Sequence, residues 1–281
     1  MGLSPSFYLF FALLIGLCFG SFLNVVITRL PVMLMRRWRN EARASLELAE
    51  ETSPRFNLAT PRSMCPRCEH PIAWHNNLPL IGWLKRRGKC AHCQTSISVQ
   101  YPFVELMGGI LAIVVVALHG PTLSAMFIYG ACITLLALAV IDFRTYLLPD
   151  MLTLPLLWAG LAYQLLFQPL LLPGAVIGAM AGYVVLWSFY WLFKLITGKE
   201  GMGFGDFKLL AALGAWVGWS MLPLLIILSA GIGAIIGLAA QAISPQLRGQ
   251  PLPFGPFLAL AGWICLLVGN ELMTLYTSLL Y

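Results

Sequence analysis

Charge is what this chain has least of. Lys, Arg, Asp and Glu make up 10% of its 281 residues, where a soluble domain carries about 25%. That shortage excludes an ordinary water-soluble fold. With 59% hydrophobic residues and a mean hydropathy of +0.84, the chain reads as a polytopic membrane protein. Basic residues are also missing where a secretory signal needs them. Met1 to Ser6 carry no Lys or Arg, and the basic residues follow the first apolar run. This predicts a retained anchor with an outward N-terminus rather than a cleaved peptide. A strand is missing before the G-x-G pair at Gly203 and Gly205, which excludes a dinucleotide-binding reading.

A helix needs about 20 apolar residues to cross the hydrocarbon core. Apolar runs lie near 7–29, 103–119, 123–142, 147–168, 173–196, 207–220, 222–241 and 254–276, giving eight candidate spans. The basic residues orient them. Residues 30–102 hold eleven of the seventeen Lys and Arg. Arg29 stands at their edge, and the rest are Arg144, Lys194, Lys199, Lys208 and Arg248. Placing 30–102 in the cytoplasm puts all of these on cytoplasmic connections and leaves the connections near 120, 170 and 221 without any. One topology thus satisfies the positive-inside rule. The net charge of +6 is therefore a topology signal and predicts no nucleic-acid binding.

Residues 31–62 turn from basic to acidic (Glu41, Glu47, Glu50, Glu51) and predict a surface helix around 36–51. Residues 63–102 carry chemistry. Cys65 and Cys68 form one C-x2-C knuckle, Cys90 and Cys93 another, with 21 residues between them. Two such knuckles can close a tetrahedron of thiolates around zinc. Disulfides compete with this reading, but a reducing cytoplasm favours the metal. Four thiolates leave no open position, so the zinc would be structural. His70, His75 or His92 replacing a cysteine is a lesser alternative. Cys18, Cys132 and Cys265 lie in spans and read as small buried hydrophobes.

Polar groups inside spans are functional candidates by default. In the first span, Gly20, Ser21 and Asn24 suit helix packing through small residues, with Asn24 as a hydrogen-bond partner; a direct role in a site is the other reading. Glu105, near a membrane boundary, is either functional or simply hydrated or paired with an arginine. Gly174, Gly178 and Gly182 recur every four residues, a face for close helix packing. Pro149 and Asp150 open the fourth span, where an acid complements the positive helix end. Asp142 has no such explanation. It falls at the negative end of its helix, where a carboxylate is disfavoured. Asp206 opens the sixth run between glycines and a lysine, on the same membrane face as Asp142. Two carboxylates sharing a site cannot both ionise easily. One would activate water and the other, protonated, would donate to a scissile carbonyl. Gly203, Gly205 and Lys208 are expected to admit and support the substrate backbone around Asp206. The competing reading is an ion or proton path using the same two acids.

GSFLNVVITRLP (20–31), the paired knuckles, YPFVE (101–105), IDFRTYLLPD (141–150), GFGDFKLL (203–210) and PFGP (253–256) together resemble the type IV prepilin peptidases. The GxGD signature is, more distantly, similar to that of presenilin-like intramembrane aspartyl proteases. The first resemblance implies an all-α membrane enzyme with one transmembrane helix at 1–29. A cytoplasmic zinc-knuckle domain would follow at 30–102, associated with methyl transfer, and an aspartyl peptidase domain at 103–281. It implies cleavage of a basic leader from prepilins and pseudopilins at the cytoplasmic face of the bacterial inner membrane. It further implies N-methylation of the new terminus with S-adenosylmethionine. The catalytic aspartates fall on Asp142 and Asp206, and the zinc cysteines on Cys65, Cys68, Cys90 and Cys93. Asp150 in the LPD element is carried over as structural. No Gly-rich methyl-donor loop is present, so the cosubstrate site stays unassigned. A peptidase of this family without methyl transfer is a further alternative.

Overall fold

The computed structural model describes residues 4–49, 54–199, 202–243 and 252–280. Among these the chain is helical, without named strands. Glu50, Glu51 and Arg248 lie outside the described residues. The chain divides into two compact units, Met1–Pro121 and Thr122–Tyr281.

The first unit is built on α1 (Pro5–Ser45) and α3 (Gln100–His119), with the short α2 (Ile81–Lys85) between them. α1 continues straight through residue 30, so the surface helix expected at 36–51 is the extension of the first span and ends at Ser45. Pro31 removes one backbone donor, yet Leu30 and Pro31 are buried, and membrane helices tolerate such a proline where neighbours pack around it. α3 packs along α1 through glycines. A Cβ at Gly16 would fall 2.6 Å from the Gly108 carbonyl oxygen, and one at Gly20 2.7 Å from Glu105 Cα. Asn24 seals the same seam, donating to the Tyr101 carbonyl at 3.0 Å and to that of Gly20 at 3.4 Å. This is the helix-packing role. Cys18 is exposed on α1, unlike the buried Cys132 and Cys265; it faces away from the protein core.

The second unit contains α4 (Leu123–Thr145), α5 (Asp150–Phe167), α6 (Leu172–Thr197), α7 (Phe204–Val217), α8 (Leu222–Ile243) and α9 (Gly255–Leu280). Its centre is α7, in which Asp206, Phe207 and Leu209 through Trp216 are buried. α5, α6 and α9 surround it. Gly178 of α6 lies against the Gly214 carbonyl oxygen, and a Cβ at Gly182 would meet the Leu210 carbonyl oxygen at 2.7 Å. Gly174, the third of that series, faces only the edge of Trp219 at 3.7 Å. Polar ties finish the seam: Gln164 Nε2 donates to the Trp216 carbonyl at 2.7 Å, and Trp216 Nε1 to that of Leu156 at 2.9 Å.

Among the described residues each of the eight apolar runs forms a helix, and six helices are long and apolar enough to cross a membrane. α7, with 14 residues, is about 21 Å long, short of the roughly 30 Å hydrocarbon core. It is shielded by the other helices instead of facing lipid along its length. The apolar part of α9 is the 15 residues Gly255–Gly269, and its helix is kinked at Val268.

Candidate active site

Asp142 and Asp206 are both held in the second unit. Asp142 projects from the last turn of α4, which ends when Tyr146 takes the left-handed conformation (φ 54°). Asp206 is the third residue of α7, whose N-cap is Gly203 (φ −82°, ψ 148°). An acid at this position turns back to the N-cap amide, as in a capping box, and the Gly203 N–H faces the Asp206 carboxylate. Both acids are buried, with 6% and 7% of their surfaces exposed, and they interact electrostatically. Asp142 Oδ2 accepts the Gly255 N–H at 3.0 Å. Asp206 Oδ1 is buried with no hydrogen-bond partner among the described residues.

Leu148, in the link between α4 and α5, organises the surroundings. A Cβ at Gly205 would meet Leu148 Cβ at 2.7 Å, and one at Gly255 would meet Leu148 Cδ2 at 3.2 Å. The close approach of Leu148 leaves no room for a side chain at Gly205. Gly203 is the open one: beyond its neighbours, the nearest atom to its Cβ position is Asp206 Oδ2 at 3.9 Å. Lys208 binds Asp150, with Nζ 2.7 and 2.8 Å from the two carboxylate oxygens. Lys208 and Asp150 thus explain each other. Sequence reasoning gave no role to Gly255 or Leu148; the glycine inside PFGP was the available signal.

In the first unit, Cys65, Cys68, Cys90 and Cys93 present their sulfurs within 4.8 Å of one another. The Cys65–Cys93 and Cys68–Cys90 separations are 3.7 and 4.0 Å. Sulfurs about 2.3 Å from a tetrahedral zinc stand roughly 3.8 Å apart, so the quartet could hold that ion. The two knuckles repeat one fold. Cys65 and Cys90 donate their N–H to the His70 and Thr95 carbonyls, and Glu69 and Gln94 take positive φ (55° and 58°). Interactions with the Thr95 side chain and the Thr95 backbone N–H bring Cys93 down to about 6. The N–H groups of Cys68 and Arg67 lower Cys65. For Cys68 the His70 N–H acts downward, but burial and the neighbouring sulfurs prevail and push it up to about 11. Sulfurs this close resist ionising together without a cation between them. His70 and His92 stack on each other, ring centroids 4.7 Å apart, and no histidine joins the quartet among the described residues.

Among the described residues Glu105 meets no arginine. It is buried, accepts the Leu80 N–H at 2.8 Å and hydrogen-bonds Ser21. Leu80 has φ 59° and caps α2, so the acid anchors the knuckle region to the helix pair.

Residues 14–119 match the bacterial peptidase A24 N-terminal domain, and residues 129–238 match the type IV leader peptidase family. The chain is 51% identical over 280 residues to the prepilin leader peptidase/N-methyltransferase of Aeromonas salmonicida, covering 98% of this chain and 95% of that protein. It is 50% identical over 279 residues to the protein of the same name from Aeromonas hydrophila, with the same coverage. With that from Pseudomonas aeruginosa it shares 47% identity over 273 residues, 97% of this chain and 94% of the relative. No solved structure matches it. Six helices fit for spanning a bilayer, with relatives this similar along nearly their whole length, make this an integral membrane protein that belongs to the type IV leader peptidase family.

Proposed function

We infer that this chain is a bifunctional prepilin leader peptidase/N-methyltransferase of the bacterial inner membrane. It cleaves the basic leader from type IV prepilins and pseudopilins and then methylates the exposed amino terminus. The observation that carries the peptidase assignment is the pair of buried, electrostatically coupled carboxylates on α4 and α7. Carboxylates so placed share a proton. The ionised member takes a proton from water, whose oxygen attacks the scissile carbonyl carbon. The protonated member donates to the carbonyl oxygen. Collapse of the tetrahedral intermediate breaks the C–N bond, and the proton taken from water passes to the leaving amine. Both acids lie near helix ends, which suits a scissile bond at the cytoplasmic membrane interface. There a basic leader stays in water while the apolar helix of the substrate remains in lipid. The open face of Gly203 admits the extended substrate backbone beside Asp206.

Methyl transfer consumes S-adenosylmethionine as cosubstrate: the free amine takes the methyl group from the sulfonium and loses a proton. Residues 30–102 are the region we assign to this step. Cys65, Cys68, Cys90 and Cys93 would hold a structural zinc there, cross-linking the two knuckles.

The test is cleavage of a purified prepilin in the presence of S-adenosylmethionine, read by intact mass. Wild type should lose the leader and gain one methyl group. Asp142→Asn and Asp206→Asn should each abolish leader loss, and Asp150→Asn should retain it. Leader loss without the methyl group would remove the transferase. Undiminished cleavage by either of the first two variants would overturn the pairing. Ion flux in proteoliposomes without any cleavage would favour a transporter.

A further inference from the structure

Asp142 stands where its own helix opposes it. It lies in the last turn of α4, and its carbonyl already accepts the Tyr146 N–H at 2.9 Å. A carboxylate at that end of a helix meets the negative pole of the dipole. What offsets this comes from 113 residues along the chain, the Gly255 N–H 3.0 Å from Asp142 Oδ2.

Gly255 is the first residue of α9. Its amide is one of those a helix leaves without an intrahelical acceptor, and it sits at the positive pole. The next residue, Pro256, has no N–H to compete for the carboxylate and suits the first helical turn. The Phe254 carbonyl accepts both Phe257 and Leu258 N–H at 3.1 Å, so the helix forms at once and fixes the direction of the Gly255 amide. Gly255 is buried. A Cβ there would fall 2.6 Å from Asp142 Oδ2 and 3.1 Å from its Cγ. No residue but glycine brings this amide to the carboxylate without displacing it.

Asp206 is held differently. The Gly203 N–H at the start of α7 faces its carboxylate, but its Oδ1 is buried and finds no hydrogen-bond partner among the described residues. An ionised oxygen so placed costs far more than a neutral one.

We propose that Gly255 is a positioning residue whose N–H orients Asp142 as the ionised base of the pair, leaving Asp206 as the proton donor. This rests on the reading of Asp142 and Asp206 as the peptidase centre. Water then gives its proton to Asp142 while its oxygen bonds to the scissile carbon. The carbonyl oxygen receives the proton of Asp206. As the C–N bond breaks, the proton on Asp142 goes to the amine, and the hydroxyl of the intermediate returns a proton to Asp206.

The experiment removes the donor, and it also weakens the Phe254 carbonyl as acceptor for the Phe257 and Leu258 N–H groups, an effect read in Tm. Glycolate incorporated at position 255 of the full-length enzyme replaces the amide by an ester, without adding a side chain. Prepilin cleavage should lose at least about tenfold in kcat, the scale of losing one hydrogen bond to a charged group, with KM unchanged within about twofold. The acidic limb of the pH–kcat/KM profile, which reports the base, should be displaced while the alkaline limb stays. Gly262→Ala is the structural control. Gly262 lies in α9 like Gly255, and its Cβ would press on Leu213 Cδ2 of α7 at 2.6 Å, seven residues along α7 from Asp206, so the substitution should lower Tm and leave kcat per folded molecule unchanged. An ester variant with wild-type kcat, or a loss confined to KM or to the folded fraction, would overturn the proposal. Displacement of the alkaline limb alone would overturn it too, by reversing the two roles. The underlying reading fails separately: an active Asp142→Asn enzyme would sink the pair itself, whereas an inactive Asp142→Asn enzyme with a fully active ester variant would sink only the role of Gly255.

Discussion

The Lys208 ammonium lies 2.7 and 2.8 Å from the two carboxylate oxygens of Asp150, joining the second turn of α7 to the start of α5. The pair is partly exposed, with side-chain accessibilities of 33% and 54%. Solvent therefore screens it, and a double-mutant cycle of Lys208→Met and Asp150→Asn should give a coupling of about 0.5–1 kcal/mol. Cleavage should stay within a few-fold of wild type in each single variant, because neither side chain contacts Asp142 or Asp206 through any hydrogen bond described for them.

Gly178 and Gly174 make opposite predictions from the same helix. Gly178→Ala drives a methyl group into the Gly214 carbonyl oxygen, which is backbone and cannot turn aside. Overpacking of that kind costs about 1–3 kcal/mol, to be read as a lowered Tm in detergent. Gly174→Ala, with 3.7 Å to the nearest atom, should be neutral or raise Tm slightly, since alanine favours a helix over glycine.

The knuckle region should carry one zinc per chain, measured by elemental analysis of the purified protein. Thiolates must be deprotonated to hold it, so protons compete and the metal is lost as pH falls. Chelation or Cys90→Ser should free the Glu69 and Gln94 amides, now bonded to the Cys65 and Cys90 carbonyls, to exchange with solvent hydrogen. Prepilin cleavage should survive chelation, because Asp142, Asp206 and Gly255 all belong to the second unit.

Arg29 is more than a marker of membrane sidedness. Its guanidinium donates to the Asn57, Leu58 and Pro61 carbonyls at 2.9, 3.3 and 2.7 Å. A lysine keeps the charge but cannot reproduce that fork. Arg29→Lys should therefore cost about 1–2 kcal/mol and speed proteolysis of residues 57–61, with the membrane topology unchanged.

Much of this protein was legible residue by residue. The apolar runs announced the helices because a bilayer demands about 20 apolar residues per crossing. The knuckle spacing announced a thiolate quartet because two close pairs need only a returning loop. Asp142 drew notice because it stood at the wrong end of its helix. Each of these signals lies within a few turns of chain. The helix limit was less legible for the same reason: the sequence turns polar near residue 30, but α1 continues to Ser45, since a change from apolar to polar residues does not by itself end a helix.

What the sequence alone determined was the membrane class, the helical content, the cysteine quartet and the two acids, all of which follow from local composition and spacing. Only the tertiary structure decided that α7 is the shielded centre of its unit, that Lys208 answers Asp150, that Gly205 yields to Leu148, and that Gly255 supplies the donor to Asp142. A hydrogen bond between residues 113 positions apart leaves no trace in periodicity or propensity. It exists because helix packing brings the N-terminus of α9 to the C-terminus of α4, where an unpaired amide and a disfavoured carboxylate satisfy each other.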